Sequence, residues 1–231
     1  MIKAGDVISY LEMCGEEGVN LQRGINFRLH GIASVILMSL RSGAPYADRV
    51  EQNGRVLIYE GHDVPRRKNG PDPKIIDQPM ANPGGVLTQN GLFYQAAMAY
   101  KSNKSQPEFV KVYEKIRSGI WVYNGLFKLV DAWQQEVSNT RKVFKFQMEM
   151  LDDIGNADIE PKDLDHNHLI PASVKLEVWK RDKGRCVRCG SRDNLHFDHI
   201  IPYSKGGSSL VAENIQLLCA RHNLNKRNNI E

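Results

Sequence analysis

The sequence predicts an α+β protein of two units, a mainly β domain over residues 1–151 and a small metal-stapled unit over residues 173–231. Short apolar runs and one alternating run in the first unit predict strands. Pairs of cysteine and histidine in the second unit predict a metal site. Residues 152–172 begin with an acidic stretch without periodicity, which is typical of a linker.

Composition excludes several classes of protein. Hydrophobic residues make up 41% of the 231 residues and charged residues 25%, which is ordinary for a globular chain and excludes disorder, a coiled coil or collagen. The longest apolar run, Ala33–Leu40, is far shorter than the ~20 residues that cross a bilayer. Residues 1–6 lack the basic and apolar regions of a secretory signal, so we expect a cytoplasmic protein without membrane contact.

Four segments of the first unit have strand patterns. One alternates apolar and polar side chains with period two, as in a half-buried strand. Another contains Asn124-Gly125, a dipeptide typical of tight turns and bulges. The four segments are Ala33–Leu40, Val56–Tyr59, Ile120–Trp133 and the alternating Phe144–Met150.

The remainder of the first unit predicts a helix and a long loop. Leu92–Lys101 has helical composition, whereas Val64–Gly85 is rich in proline, glycine and basic residues. Long loops in compact domains are often functional. We therefore expect a mainly β domain with a few helices, whose strands could close into a barrel.

The second unit has about 60 residues and is too small to be stabilised by its hydrophobic core alone. It needs a further stabilising element such as a bound metal. Ser173 is expected to cap its first helix, and a hairpin is expected from Leu195 to Pro202. A final helix over about Glu213–Arg227 would bury Leu217 and Leu218.

Two pairs of metal-ligand residues would supply this additional stabilisation. Cys186-x-x-Cys189 and Cys219-x-x-His222 are separated by 29 residues. Three thiolates and one imidazole in such pairs are typical of a tetrahedral structural zinc site. Zinc binding contributes roughly 10–16 kcal/mol to such units at neutral pH, which is enough to drive their folding. Cys14 lies outside this set and is expected to be a small buried residue.

Charge is unevenly distributed along the chain. Residues 166–231 contain 11 Lys and Arg against 6 Asp and Glu, a net charge of +5, whereas the remainder has a net charge of −1. A basic surface of this kind suits the phosphate groups of a nucleic acid. A solvated surface with a modest excess of basic residues would show the same balance, so charge alone leaves both interpretations open.

A further set of residues lies between and just after the zinc-type ligands. Its members are Phe197–Pro202, which contains Asp198-His199, then Gly206-Gly207, Asn214, Asn223 and Lys226. With these residues the chain resembles the HNH nuclease family over about Val178–Lys226. The resemblance implies a ββα-metal fold built around the structural zinc, and a metal-dependent DNA endonuclease.

The resemblance implies a role for each matched residue. His199 is the general base that takes a proton from water, and Asp198 and Asn223 hold one divalent cation, expected to be magnesium, at the phosphate. Asn214 holds the loop that follows His199, and Lys226 is a candidate DNA contact. Asn223 replaces the third histidine of the family name, and its carbonyl oxygen suits magnesium better than imidazole does.

His222 has an alternative role as the third histidine of the motif, which would leave zinc one ligand short. Adjacent helix residues point about 100° apart, so one residue does not easily serve both sites. The spacing from Cys219 favours His222 as a zinc ligand.

Short segments of the first unit also form an ordered set. They are Tyr46–Val50, Asn53-Gly54, Leu57–Asp63, Asp77-Gln78, Asn90 with Leu92, and Tyr123–Lys128. In this order, over about Gly5–Leu151, the chain resembles the SRA (SET- and RING-associated) domain. Tyr123–Lys128 matches that domain's other name, YDG, with asparagine in place of aspartate.

SRA domains bind 5-methylcytosine by flipping it out of the duplex, so the resemblance implies a base pocket. Tyr46 and Tyr59 match the stacking positions, and base–aromatic stacking contributes roughly 1–3 kcal/mol per base. Asp48, rather than Arg49, matches the acceptor for the cytosine N4 amino group, because arginine has no acceptor to offer. The alternative is that both tyrosines are core residues and Asp48 caps a turn.

Three other features of the resemblance concern specificity and DNA contact. Glu60 stands where some SRA domains have a small hydroxyl residue, which leaves open whether hydroxymethyl as well as methyl groups are accepted. The loop Pro65–Asn69 occupies the place of the family's finger, which enters the gap left by the flipped base, although Arg66, Arg67 and Lys68 could equally contact phosphates. Asp77 and Gln78 are expected to be structural.

Together the two resemblances imply a modification-dependent restriction endonuclease that defends a prokaryote against phage DNA. Its implied partner is double-stranded DNA with modified cytosine, and its implied metals are zinc and magnesium. Two alternatives remain: a methyl-DNA reader whose second unit is only a zinc-stapled clamp, and an HNH nuclease that cuts unmodified DNA. Because one HNH site cuts one strand, we expect a homodimer.

Overall fold

A computed structural model describes residues 2–137, 141–151, 169–202 and 205–226. Within these residues it contains ten strands and four α-helices. In chain order they are β1 (Val7–Ser9), α1 (Tyr10–Glu17), β2 (Ile25–Leu29), β3 (Ala33–Met38), β4 (Arg49–Glu51), β5 (Val56–Glu60), α2 (Gln89–Lys101), β6 (Glu108–Arg117), β7 (Ile120–Val137), β8 (Arg141–Met150), α3 (Ala172–Arg181), β9 (Leu195–His199), β10 (Ile215–Cys219) and α4 (Ala220–Lys226).

The first unit is built on one sheet, in the order β2-β3-β6-β7-β8-β5-β4, with β1 paired to β7. All four predicted strands are present, and the predicted helix is α2, which begins earlier because the Thr88 hydroxyl accepts the Gly91 N–H. The described pairings run from β2 to β4 without joining these two strands, so they form an open path rather than a closed barrel. The predicted class, mainly β with a few helices, is confirmed.

The Asn124-Gly125 dipeptide, predicted to form a tight turn or a bulge, forms a bulge inside β7. Val112 pairs with Gly125 and Tyr113 with Tyr123, so Asn124 is an extra residue in the ladder. A bulge re-aims a side chain away from its regular position. Here it places the Asn124 amide against the second unit of the protein.

The core of the first unit lies between the sheet and α2. Phe93 of α2 packs edge-on against Phe146 of β8 with ring centroids 5.5 Å apart, and both rings are fully buried. The polar side of β8 is partly covered: Lys145 is 2% exposed, with its ammonium 2.7 Å from Glu60 Oε2, whereas Lys142 is exposed and Gln147 is half-buried. The half-buried pattern predicted for β8 thus agrees with the structure except at Lys145.

The second unit consists of α3, the antiparallel pair β9–β10 and α4. Three predictions for this unit are wrong. Helix α3 begins at Ala172 after Pro171, without a side-chain cap, so Ser173 does not cap it. The predicted hairpin within 195–202 and the predicted helix over 213–227 are replaced by pairing of β9 with β10. Of the described residues in the helix range, 220–226 are α-helical and 213–214 end a short 3-10 helix.

Pairing explains why Ile215–Cys219 is a strand. Its apolar spacing fits both a buried helix and a buried strand, but β9 needs a partner for its backbone hydrogen bonds. Leu217 and Leu218 are fully buried, as expected, although as strand residues.

The two units share a hydrophobic core. Ile116 and Val122 of the first unit cluster with Val174, Val178 and Leu217 of the second. The predicted linker contributes to this packing at its end: Leu169 and Ile170 are buried, whereas residues 152–168 lie outside the described part of the chain.

A buried polar cluster crosses the same interface. Lys175 Nζ of α3 lies 2.7 Å from Glu114 Oε2 and 2.6 Å from Asn124 Oδ1. Nearby, His196 of β9 forms an isolated antiparallel bridge with Asp6, and its Nδ1 lies 2.6 Å from Asp6 Oδ1. Because an unpaired buried charge is costly, these contacts hold the units together.

No helix in the described ranges is both long and apolar enough to span a membrane.

Candidate functional site

Four side chains of the second unit form a metal-ligand cluster. The thiols of Cys186, Cys189 and Cys219 and the imidazole of His222 place their ligand atoms within 4.8 Å of one another. Cys189 Sγ lies 3.8 Å from Cys219 Sγ, and His222 Nδ1 lies 3.4 Å and 3.3 Å from the sulfurs of Cys186 and Cys219. Two sulfurs bound to one zinc at about 2.3 Å in a tetrahedron are separated by about 3.8 Å. The cluster therefore fits zinc.

Local structure brings these ligands together. The Gly190 N–H donates to the Cys186 carbonyl at 2.8 Å and closes the first Cys-x-x-Cys turn, for which Gly190 adopts a φ of 73°. Cys219 ends β10 and His222 lies in the following helix. Burial opposes ionisation of Cys186, but backbone N–H groups of the two turns outweigh it and lower its pKa to about 6. A thiolate ready to bind metal results.

His222 faces the cysteines, which places it in the metal cluster. The alternative, in which His222 is the third histidine of the nuclease motif, does not agree with this orientation. Asn223 is the next residue of α4 and is partly buried.

The Asp198-His199 pair ends strand β9, opposite Gln216 and Ile215 of β10. Both side chains are nearly buried, at 4% and 5% exposure. Asp198 Oδ2 accepts from Gln216 Nε2 at 3.3 Å, and His199 Nε2 lies 2.8 Å from Ser209 Oγ. Because neighbouring strand residues point to opposite faces, the two side chains have separate surroundings.

Lys226 differs from its expected role as a DNA contact. It is only 1% exposed, and its ammonium lies 2.7 Å from Asp198 Oδ2 and also donates to the His199 carbonyl. An ammonium buried in this way does not reach a phosphate. Lys226 instead ties α4 to the end of β9.

Asp198 and Asn223 are the oxygen ligands expected for the catalytic cation. In the structure the carboxylate of Asp198 is paired with one positive charge, that of Lys226. Asn223 precedes Lys226 by three residues in α4, so both lie on the side of the helix that faces β9. Carboxylate and amide oxygens are the hard ligands that magnesium prefers.

Asn214 holds both sides of the loop after His199. Its Oδ1 accepts the Ile201 N–H at 2.8 Å, and its Nδ2 donates to the carbonyls of Ile201 and Ser208, each at 3.0 Å. One side chain therefore satisfies three backbone groups. The loop is fixed where it leaves β9 and where it returns to β10.

The two tyrosines expected to stack a base both lie near the imidazole of His62. Tyr59 of β5 is 1% exposed, and Tyr46 is partly exposed. The His62 ring centroid is 6.2 Å from that of Tyr46 and 6.5 Å from that of Tyr59. Tyr59 Oη also lies 3.3 Å from His62 Nε2. No motif pointed to His62 beyond its place in the Leu57–Asp63 segment.

Asp48 binds backbone amides beside the tyrosines. Its Oδ1 accepts the Glu60 N–H at 2.9 Å and its Oδ2 accepts the Ser39 N–H at 3.4 Å. Burial raises the pKa of Asp48 to about 7, against the effect of these two N–H groups. Glu60 is turned away to Lys145 and to the Ala47 N–H. Thus Asp48 joins the loop before β4 to strand β5.

Neighbouring residues fix the segment that contains His62. Asn90, 1% exposed, donates to the His62 carbonyl and accepts its N–H, both at 2.8 Å. Gln78 donates to the Gly61 carbonyl at 2.7 Å and accepts the Phe144 N–H at 2.8 Å. Burial lowers the pKa of His62 to about 4, so its ring is neutral at neutral pH.

The basic loop is exposed to solvent. Arg66, Arg67 and Lys68 are all exposed, and the Gly70 N–H donates to the Arg67 carbonyl to form a turn. Asp77 is instead occupied in the fold, since its Oδ1 accepts the Lys142 N–H at 2.7 Å.

Comparison with protein families assigns both units. The model of the SAD/SRA domain matches residues 2–154, and the model of the HNH endonuclease matches residues 186–229. The relatives include two curated proteins of Arabidopsis thaliana, the H3 lysine-9 specific histone-lysine N-methyltransferases SUVH6 and SUVH5. Each is 26% identical to this chain over an alignment that covers 65% of it. The chain spans about a fifth of their length, 19% and 18%.

Solved structures similar to this chain include the SRA domain of SUVH5 with hemimethylated CG DNA, at 24% identity and a TM-score of 0.46 over 69% of this chain and 94% of that one. They also include the modification-dependent TagI restriction endonuclease, at 21% identity and a TM-score of 0.43 over 96% of this chain and 76% of that one. With the family match covering more than half of its residues, the chain belongs to the SAD/SRA domain family, and it contains an HNH endonuclease segment.

Proposed function

We propose that this protein is a modification-dependent DNA endonuclease, which binds 5-methylcytosine by base flipping and hydrolyses phosphodiester bonds nearby. The observation that supports it most is that β9, the strand with Asp198-His199, belongs to a metal-stapled unit that packs directly on the SRA domain. We further propose that zinc fills the Cys3His cluster and that the enzyme acts in the cytoplasm of a prokaryote against phage DNA.

The base pocket would be formed by Tyr46, Asp48 and Tyr59. Two aromatic faces replace the stacking that a flipped base loses. Asp48 would accept a hydrogen bond from the N4 amino group, and its partial burial would strengthen that bond. His62 lies beside Tyr59 and would border the ring, whereas Glu60, also expected in the pocket, is held instead by Lys145 and the Ala47 N–H. The exposed Arg66-Arg67-Lys68 segment would contact phosphates or the gap in the duplex.

The nuclease chemistry would use a water molecule as the nucleophile. His199 accepts its proton, because imidazole is the side chain best suited to proton transfer near neutral pH. Asp198 and Asn223 would hold a magnesium ion, whose charge would stabilise the phosphate and the leaving oxygen. Asn214 keeps the loop after His199 in place, so that the base keeps its position during the reaction.

Duplex cleavage needs a cut in each strand, and each chain contains one Asp198-His199 pair. We therefore propose that two copies act together on one duplex. Light scattering of the protein with and without a duplex that has one modified site would measure the assembly directly.

One assay tests the function and separates it from the two alternatives. Matched plasmids with cytosine, 5-methylcytosine or 5-hydroxymethylcytosine are incubated with wild-type protein and with His199→Ala, with and without Mg²⁺. Cleavage of modified plasmids alone supports the proposal. Equal cleavage of all three indicates a nuclease for unmodified DNA, and selective binding without cleavage indicates a reader with a structural second unit.

A further inference from the structure

The loop between β9 and β10 folds back onto the end of β9. Ser209, near the end of this loop, places its hydroxyl 2.8 Å from His199 Nε2. Both side chains are nearly buried, with Ser209 2% and His199 5% exposed. The hydroxyl therefore meets the imidazole away from bulk water, where a hydrogen bond is stronger.

The position of Ser209 is set by contacts that do not involve the imidazole. Asn214 binds the carbonyl of Ser208, the preceding residue, at 3.0 Å. The Gly207 N–H donates to the Pro202 carbonyl at 3.0 Å, and a Cβ on Gly207 would collide with the Ile201 carbonyl oxygen. The loop thus needs glycine at 207 and asparagine at 214, and their backbone contacts bring Ser209 to His199.

A neutral imidazole donates from one ring nitrogen and accepts at the other, and its hydrogen-bond partner determines which is which. We infer that Ser209 is a positioning residue for His199: its hydroxyl accepts the Nε2–H and fixes both the ring rotation and the tautomer. Nδ1 is then the nitrogen that takes the proton from water. This inference rests on the proposed function of His199 as general base.

The kinetic test compares Ser209→Ala with Ser209→Thr, which keeps the hydroxyl. Single-turnover cleavage of methylated DNA is expected to slow by about 10- to 100-fold in Ser209→Ala, by analogy with loss of the hydrogen-bond partner that orients a metal-bound histidine. DNA affinity and bound zinc should stay at wild-type values, and Ser209→Thr should regain most of the rate. Ser208→Ala is the matched control, because that hydroxyl accepts the Leu210 N–H instead.

A double mutant separates action through His199 from a general change in the loop. In a His199→Ala background, Ser209→Ala should have no further effect on residual cleavage, since the group it positions is gone. An equal loss in both backgrounds, a wild-type rate in Ser209→Ala, or a faster rate because the hydroxyl had blocked the base, would each overturn the inference.

A spectroscopic measurement keeps the inference testable if no substrate is cut. Side-chain nitrogen NMR of ¹⁵N-histidine protein, with the His199 signal identified by its loss in His199→Ala, reports the tautomer. The Nε2–H form is expected in the wild type, and a mixture in Ser209→Ala. A wild-type Nδ1–H form would overturn the inference, whereas absence of cleavage with the Nε2–H form present would count against the proposed function alone.

Discussion

Lys226 Nζ and Asp198 Oδ2 lie 2.7 Å apart in a pair whose two side chains are 1% and 5% exposed. The pair joins the last described helix to the strand that ends in His199, and the same ammonium donates to the His199 carbonyl. A lysine that composition alone would place on the basic surface thus belongs to the interior of the second unit.

Lys226→Met is expected to lower the free energy of unfolding of the second unit by about 3–5 kcal/mol, because it leaves Asp198 buried without its counter-charge. Added Mg²⁺ should raise the melting temperature of this variant more than that of the wild type, since a cation can replace the lost charge. Thermal unfolding with a Mg²⁺ titration measures both effects. Lys180→Met, at an exposed position of α3, is the control. Equal Mg²⁺ responses in wild type and variant would contradict the assignment of Asp198 as a ligand.

One zinc ion per chain is expected. Cys186→Ser or Cys219→Ser should release it and unfold the second unit while α2 and the first sheet stay folded. Zinc by elemental analysis and far-UV circular dichroism measure the two effects. Cys14→Ala is the matched control, because Cys14 is buried in a separate cluster of the first unit. Active wild-type protein with well under one zinc per chain would count against the site.

His199→Ala should abolish cleavage and leave DNA binding nearly unchanged. The general base acts only in the chemical step, whereas affinity depends on phosphate contacts and the base pocket. Gel-shift titration and plasmid cleavage are compared for the same preparation. Cutting at the wild-type rate would exclude His199 as the base.

Asp48→Ala should weaken binding of methylated DNA by about 5- to 150-fold, because a buried amino group without its acceptor costs roughly 1–3 kcal/mol. Binding of unmodified DNA depends on phosphates and should barely change. Tyr59→Ala should act in the same direction through lost stacking. Since Asp48 also binds the Glu60 and Ser39 N–H groups, the melting temperature is recorded for each variant. An unchanged ratio of affinities at an unchanged melting temperature would make Asp48 a turn residue.

Preference for methylated DNA should decrease as the pH falls through about 7, the value to which burial raises the pKa of Asp48. From pH 8 to pH 6 the carboxylate fraction falls from about 90% to about 10%, and a protonated carboxyl loses acceptor capacity. Competition binding across this range measures the effect, which should vanish in Asp48→Ala.

The raised pKa of Asp48 also makes the stability of the fold depend on pH, in the direction opposite to its effect on DNA preference. Between pH 3.8 and about 7 the folded protein retains a proton on Asp48 that the unfolded chain has lost. The contribution of Asp48 to the free energy of unfolding therefore falls as the pH rises through this window. A constant difference in stability between wild type and Asp48→Ala over the window would contradict the raised pKa.

Local patterns predicted much of the fold. Strands β3, β5, β7 and β8 follow from apolar or alternating runs, and the four metal ligands follow from their spacing. These signals depend on residues close together in the sequence. The boundary at Ile215 was wrong because pairing with β9, a long-range contact, decided between helix and strand.

Pairings between residues that are distant in the sequence could not be predicted, because local patterns do not indicate long-range contacts. Lys145 pairs with Glu60 and Lys226 pairs with Asp198, and no local pattern of the sequence indicates either pairing. His62 lies beside the tyrosines, and Asn90 of α2 holds its backbone there through two hydrogen bonds. Each of these contacts depends on how the sheet, the helices and the loops are assembled.

The interface between the two units fixes the distance between the two proposed sites, one in each unit. Separating them would remove the counter-charges of Lys175 and Glu114 and expose Val122 and Leu217 to water. The proposed base pocket and the strand with His199 are thus held at a fixed separation. If the proposed function holds, the break would fall at a defined distance from the modified cytosine, independent of the intervening sequence.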